Sequence, residues 1–280
     1  MRGPLRGPGA AIDEHTVQAE LRLLHTAGLG CALLVEGPSD ARFWQGHLRT
    51  GAAPVICGGR HTLVAVMTGA AAKGQGWVWG AADADCDRLE GALRVVPQLA
   101  YTDAHDLETT LAMVGGLRRL LLVHGDAAKV TAWAAKGQAP EEALLQAAAD
   151  LGRLRWLARR APVSPPMGWL VASRFFDPAT LSLRWGDVLS AAAQKGLGAS
   201  PADVQAALDA LPPADPWQLA QGHDLVHLIS AALGGALGGA GSGRARGDVE
   251  RALCLGVGRE ALAQTAMGAA LRAAGGGPLV

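Results

Sequence analysis

Only one tyrosine, Tyr101, occurs in the 280 residues, and it lies inside an apolar run. An enzyme that forms a phosphotyrosine intermediate must present that hydroxyl from an open surface, so transesterification of this kind is excluded. Cysteine is also scarce: Cys31, Cys57, Cys86 and Cys254 are scattered, with no C-x-x-C pair to build a zinc ribbon or knuckle. No G-x-x-x-x-G-K-[ST] loop is present, so the chain does not hydrolyse ATP through a P-loop. Gly28-x-Gly30 precedes an apolar run instead of following one, which removes a dinucleotide fingerprint. Net charge is lacking too, with 25 Lys+Arg against 25 Asp+Glu, and a split near residue 125 leaves both parts close to neutral. No global basic field draws in a polyanion, and salt-dependent affinity should be modest.

Residues 1–11 carry arginines and prolines without an apolar centre, unlike a secretory signal. The longest uncharged stretch, Leu225 to Gly243, holds His227 and dissolves into Gly-Gly pairs. It reads as a buried helix followed by a loop, not a membrane span. A chain that avoids the membrane and keeps its thiols reduced is expected in the cytoplasm. What is abundant is small: half the residues are apolar, dominated by alanine, glycine and leucine, enough for a core of modest side chains. The excess of arginine over lysine fits a GC-rich coding bias and is not taken as chemistry.

Hydrophobic periodicity predicts a leading helix over 13–27, then strands at 31–35, 54–57, 77–82 and 98–102. Helices are expected after Pro38, after His61, around Leu89–Val95 and from Asp106. Strand–helix alternation of this kind means an α/β fold with a parallel sheet flanked by helices. Beyond about residue 120 the pattern turns mainly helical: 141–160, 200–211, 217–233 and 259–274, with a hairpin over 168–185 and a glycine-rich loop over 234–247. The expected organisation is a leading helix (1–29), a catalytic sheet domain (30–120) and a mainly helical C-terminal region with a short hairpin (121–280).

Three acidic clusters follow apolar runs: Val35-Glu36-Gly37, Asp83-Ala84-Asp85-Cys86-Asp87, and Asp103-Ala104-His105-Asp106-Leu107-Glu108. A carboxylate at the edge of a buried strand is costly unless a cation meets it. Oxygen ligands in such an arrangement suit a hard divalent ion, Mg²⁺ or Mn²⁺. In open parallel sheets, ligands bind beyond the carboxyl ends of strands, where these clusters are predicted to fall.

Val35-Glu36-Gly37-x-x-Asp40, Cys57-Gly58-Gly59-Arg60, Asp83-x-Asp85-x-Asp87 and His105-Asp106-Leu107-Glu108, in that order, resemble the TOPRIM domain. They are most similar to the OLD-related TOPRIM nucleases, which include anti-phage defence effectors such as the PARIS effector. The resemblance covers about residues 30–115 and extends weakly to Gly222-His223-Asp224-Leu225. It implies a TOPRIM-like sheet and metal-dependent hydrolysis of phosphodiester bonds in DNA or RNA, including transfer RNA. Glu36, Asp83 and Asp85 would be catalytic, and would hold the metal together with Asp106 and Glu108. Asp40, Gly58, Gly59 and Arg60 would contact substrate, the glycine N–H groups approaching a phosphate. A separate ATPase would control the effector, and the resemblance leaves room for a homodimer. Burial among acids should raise the Glu36 pKa and suit it to take a proton from water.

Each residue also has a plainer reading. Glu36 is placed to cap the next helix, Asp83 and Asp85 suit a turn, and Asp40, Asp87, Asp106 and Glu108 suit helix starts. Arg60 equally suits a solvated loop. Arg153, Arg155, Arg159 and Arg160 around Trp156 form either a charged helix face or a local nucleic-acid patch. His223 and His227, one turn apart, lack the Glu or Cys that would complete a metal set. Two other functional classes remain: a catalytically inactive TOPRIM-like regulatory or binding module, and another Asp-x-Asp metal-dependent phosphohydrolase.

Overall fold

The computed structural model describes residues 12–239, 245–272 and 277–279. The chain begins with α1 (Glu14–Thr26), β1 (Cys31–Val35), α2 (Pro38–Gln45), β2 (Ala52–Ile56), α3 (Arg60–Ala72) and β3 (Val78–Ala82). A short α4 (Asp85–Leu89) and β4 (Leu99–Tyr101) follow. By internal contact the chain forms two compact units: residues 1–83, 93–102 and 263–280, and residues 84–92 with 103–262. This division differs from expected boundaries at residues 29 and 120.

The first unit holds a four-stranded parallel sheet in the order β2-β1-β3-β4. All five β1 residues are buried, as a central strand covered on both faces requires. Successive side chains alternate faces, so Ala32 and Leu34 meet Val17 and Leu21 of α1 and Leu63, Val66 and Met67 of α3. Strand order reverses after β1, so right-handed crossovers place α2 on the opposite face from α3. Gly80 lets α3 approach β3: a Cβ there would stand 2.8 Å from the Leu99 side chain and 3.0 Å from that of Met67. Near the C-terminus, Leu48 bridges Leu279, and Arg49 donates from its amide to Pro278 and from Nε to Gly277.

The second unit is mainly helical. Its elements are α5 (Leu107–Leu111), a kinked segment (Ala112–Gly116), α6 (Leu117–His124), α7 (Ala127–Ala134), α8 (Pro140–Arg160) and α9 (Ala172–Phe175). Then come β5 (Phe176–Asp177), β6 (Ser182–Leu183), α10 (Trp185–Gln194), α11 (Pro201–Asp209), α12 (Pro216–Leu219) and α13 (Gly222–Leu233). The chain continues through α14 (Arg246–Gly256) and α15 (Arg259–Ala263), while α16 (Ala266–Arg272) belongs to the first unit. The long α8 is the axis of this unit's core, burying Leu144, Leu151, Leu154 and Trp156 among α13 side chains such as Leu228 and Ile229. Gly152 makes the α8–α12 contact close: an added Cβ would lie 1.8 Å from the Leu219 carbonyl oxygen, which is backbone and cannot swing aside. Gly152→Ala should therefore cost about 1–3 kcal/mol of stability despite alanine's better helix propensity, read as a lower urea midpoint.

Several expected elements change. No helix spans 90–97; the turn forms earlier as α4, and Gly91 takes a left-handed φ of 63° that ends it. The hairpin shrinks to the two-residue antiparallel pair β5–β6, preceded by the single helical turn α9. The helix expected over 217–233 breaks into α12 and α13, where Ala220 and Gln221 are extended. The one expected over 259–274 breaks into α15 and α16, with the Thr265 hydroxyl accepting from the Gly268 amide. Part of the predicted loop 234–247 falls outside the described residues, and α14 starts inside it. Among the described residues no helix is long and apolar enough to cross a membrane.

Candidate functional site

The first unit brings Glu36, Asp83 and Arg60 together at the carboxyl edge of its sheet. β1 and β3 are neighbours, and β1 is the strand at which the order reverses, so their ends open on the topological switch point. Glu36 is the first residue after β1 and Asp83 the first after β3. The Asp83 amide donates to Glu36 Oε1 at 2.9 Å, which ties the two strand ends and orients the Glu36 carboxylate. Arg60 opens α3, and its Nη1 donates to the Asp83 carbonyl at 3.3 Å, so a guanidinium reaches the end of β3. Glu36 and Asp83 are both half-buried.

Gly58 and Gly59 act differently from the expected phosphate cradle. Their amides donate to the Glu36 carbonyl at 3.0 and 3.1 Å, folding the loop over the end of β1. Their φ values of 75° and 131° lie where only glycine is comfortable. They hold Glu36 in place, and the substrate role assigned to their N–H groups gives way to that. Asp40 accepts from the Gly37 amide through Oδ2 at 2.9 Å, satisfying the N-cap N–H at the start of α2. This makes it a helix cap beside the site.

The second unit holds the other acids. Asp85 has φ 47°, an uncommon left-handed value outside glycine that aspartate tolerates better than most. Its amide donates to the His105 carbonyl at 2.7 Å, and its Oδ1 lies 3.6 Å from His105 Nε2. His105 is buried, and its Nδ1 is the donor to the Gln218 carbonyl at 3.1 Å, because a carbonyl can only accept. The His105 backbone thus holds the Asp85 loop, and the buried ring is anchored to Gln218.

Asp106 is the N-cap of α5. Oδ1 accepts from the Thr109 amide at 2.9 Å and its hydroxyl at 2.8 Å, while Oδ2 accepts from the Gly222 amide at 2.6 Å. With both oxygens committed to backbone and hydroxyl donors, Asp106 joins α5 to α13 and is not retained as a metal ligand. Gly222 is needed for that approach, since a Cβ would lie 2.6 Å from Asp106 Oδ1 and from the Glu108 Cβ. Glu108 sits in the first turn of α5, half-buried.

Each arginine of the α8 cluster has a partner within the unit. Arg155 grips Asp224 with Nε to Oδ2 and Nη2 to Oδ1, each at 3.0 Å, and Asp224 is only 1 % exposed. Arg153 donates to the Leu208 carbonyl at 2.8 Å, Arg159 pairs with Asp87, and Arg160 lies 3.6 Å from Glu90. Trp156 Nε1 also donates to Glu90. His227 faces Arg246 and His223; burial first, then those neighbours, lower its pKa, an unfavourable setting for a cation. Burial pushes the Cys86 thiol up to about 11, outweighing the opposing pull of Arg159, so it stays protonated and is no nucleophile at neutral pH.

Among the described residues no three His, Cys, Asp or Glu side chains gather into a metal-ligating group. No protein-family model, curated protein or solved structure matches the chain.

Proposed function

We propose that this protein is a metal-dependent nuclease of the TOPRIM type that hydrolyses phosphodiester bonds by water attack. The observation that supports this most is the placement of Glu36 and Asp83 at the adjoining carboxyl ends of β1 and β3, with Arg60 reaching the end of β3. Mg²⁺ is commonly held by one or two carboxylates, the remaining positions going to water and substrate phosphate. A two-carboxylate mouth therefore fits Mg²⁺ or Mn²⁺, and a three-ligand protein cage is not required. Glu36 and Asp83 would hold the ion. When bound, it would neutralise phosphate charge and lower the pKa of a coordinated water.

The chain's own residues do the rest. The Asp83 amide fixes the rotation of the Glu36 carboxylate, which would accept a proton from the attacking water. Arg60 would bind a phosphate oxygen, a contact a neutral chain needs at a carboxylate-lined edge. Asp85 and Glu108 enter the proposal through the motif resemblance alone. That resemblance also carries the finer reading: an anti-phage effector acting on DNA or RNA under a separate ATPase.

One observation favours a second reading, a catalytically inactive binding module. The Glu36–Asp83 hydrogen bond would serve equally well as a structural staple. Incubating the purified protein with plasmid DNA and with total RNA, in Mg²⁺, Mn²⁺ or EDTA, separates the two. The nuclease reading expects cleavage of at least one substrate that stops in EDTA. Full-length products under every condition favour the binding module.

A further inference from the structure

At the amino edge of the same sheet, away from the carboxylates, a cavity of about 260 Å³ opens between α1, α3 and the segment entering β3. Two cations, Arg22 and Lys73, line it together with the amides of Gln18 and Gln75 and the rings of His25 and Trp77. No carboxylate belongs to its lining, and among the described residues none pairs with Arg22 or Lys73. His25 and Trp77 are stacked, with ring centroids 4.5 Å apart and planes 15° from parallel.

The rim is held by backbone hydrogen bonds. Trp77 accepts from the Ala32 amide at 2.9 Å, Gln75 donates to the Ala70 carbonyl at 3.0 Å, and the Val78 amide closes on the Gln75 carbonyl at 3.0 Å. The backbone that carries Gln75 and Trp77 is therefore in place before any ligand arrives. Lys73, the C-cap of α3, complements that helix's dipole, which accounts for its position. It does not account for an aromatic stack and two amides lining the same cavity.

We propose that this cavity is a nucleotide site. Its aromatic stack would extend onto a base, its amides would meet the base edge, and Arg22 and Lys73 would take the phosphate. The volume suits one nucleotide and excludes a duplex. The site stands on its own geometry and does not depend on the nuclease reading.

Isothermal titration of the full chain with AMP, GMP, CMP and UMP tests it, with inorganic phosphate as a second probe. At least one mononucleotide should bind saturably at one site, and Lys73→Glu and Trp77→Ala should each weaken it by about tenfold or more, with unchanged circular dichroism. Glu36→Gln should bind as the wild type does, so failure of the nuclease assay would leave this result intact. A 5′-phosphorylated oligonucleotide that competes more tightly than the mononucleotide assigns the site to a strand end; weaker competition assigns it to the free nucleotide. Absence of saturable binding at millimolar concentration, or affinity unchanged in folded Lys73→Glu and Arg22→Glu, overturns the proposal.

Discussion

Replacing Glu36 with glutamine should reduce metal-dependent cleavage by about a hundredfold or more while the protein stays folded. The reasoning turns on what glutamine keeps. Its amide oxygen can still accept from the Asp83 N–H that now meets Glu36 Oε1 at 2.9 Å, so the link between the ends of β1 and β3 survives. What disappears is the negative charge and the capacity to take a proton. A purely structural role for Glu36 predicts nearly unchanged behaviour. Asp83→Asn makes the complementary test, because Asp83 meets Glu36 through its backbone N–H and Arg60 through its backbone C=O. Those bonds remain while a carboxylate is lost. Initial rates with Mg²⁺ and Mn²⁺, read beside thermal melts, separate lost chemistry from lost folding.

The largest stability effect should come from Arg155→Ala, at about 3–5 kcal/mol. Asp224 is 1 % exposed, and Arg155 makes a two-point contact with it while donating also to the Leu170 carbonyl at 2.9 Å. Removing the guanidinium leaves a carboxylate desolvated without its counter-charge, and that cost exceeds the net worth of the intact pair. A loss of this size is a large part of the about 5–15 kcal/mol that stabilises a typical domain. Arg155→Met combined with Asp224→Leu should recover much of it, since an apolar pair of similar volume has no charge to strand. The exposed Arg246–Glu250 pair provides the contrast: Arg246→Ala should change stability by less than about 1 kcal/mol. Urea denaturation of all four proteins reads these differences directly.

The same pair shows where sequence reading reached its limit. The spacing of Arg153, Arg155, Arg159 and Arg160 marked a charged helix face, but the partner of Arg155 is 69 residues away, and no local pattern signals it. Asp224, in a segment that resembles a site motif, serves the core of the second unit. By contrast, β1 and β3 were legible because buried parallel strands are continuous apolar runs, and both end where Glu36 and Asp83 begin. Asp106 was legible as a cap, yet its second bond, to Gly222, joins elements far apart in sequence. From Asp106 the apolar residues Leu107, Leu111 and Val114 keep helical spacing. The chain instead kinks at Val114 and Gly115, where Gly115 has φ 101°, since glycine permits a break that hydrophobic periodicity does not register.

The central claim is that Glu36 and Asp83 together hold a divalent ion at the edge of the parallel sheet. Mn²⁺ titration followed by electron paramagnetic resonance measures free ion directly and needs no substrate. Saturable binding to the wild type, weakened by about tenfold or more in both Glu36→Gln and Asp83→Asn, is the expected result. Equal Mn²⁺ affinity in the wild type and in both folded variants would contradict it.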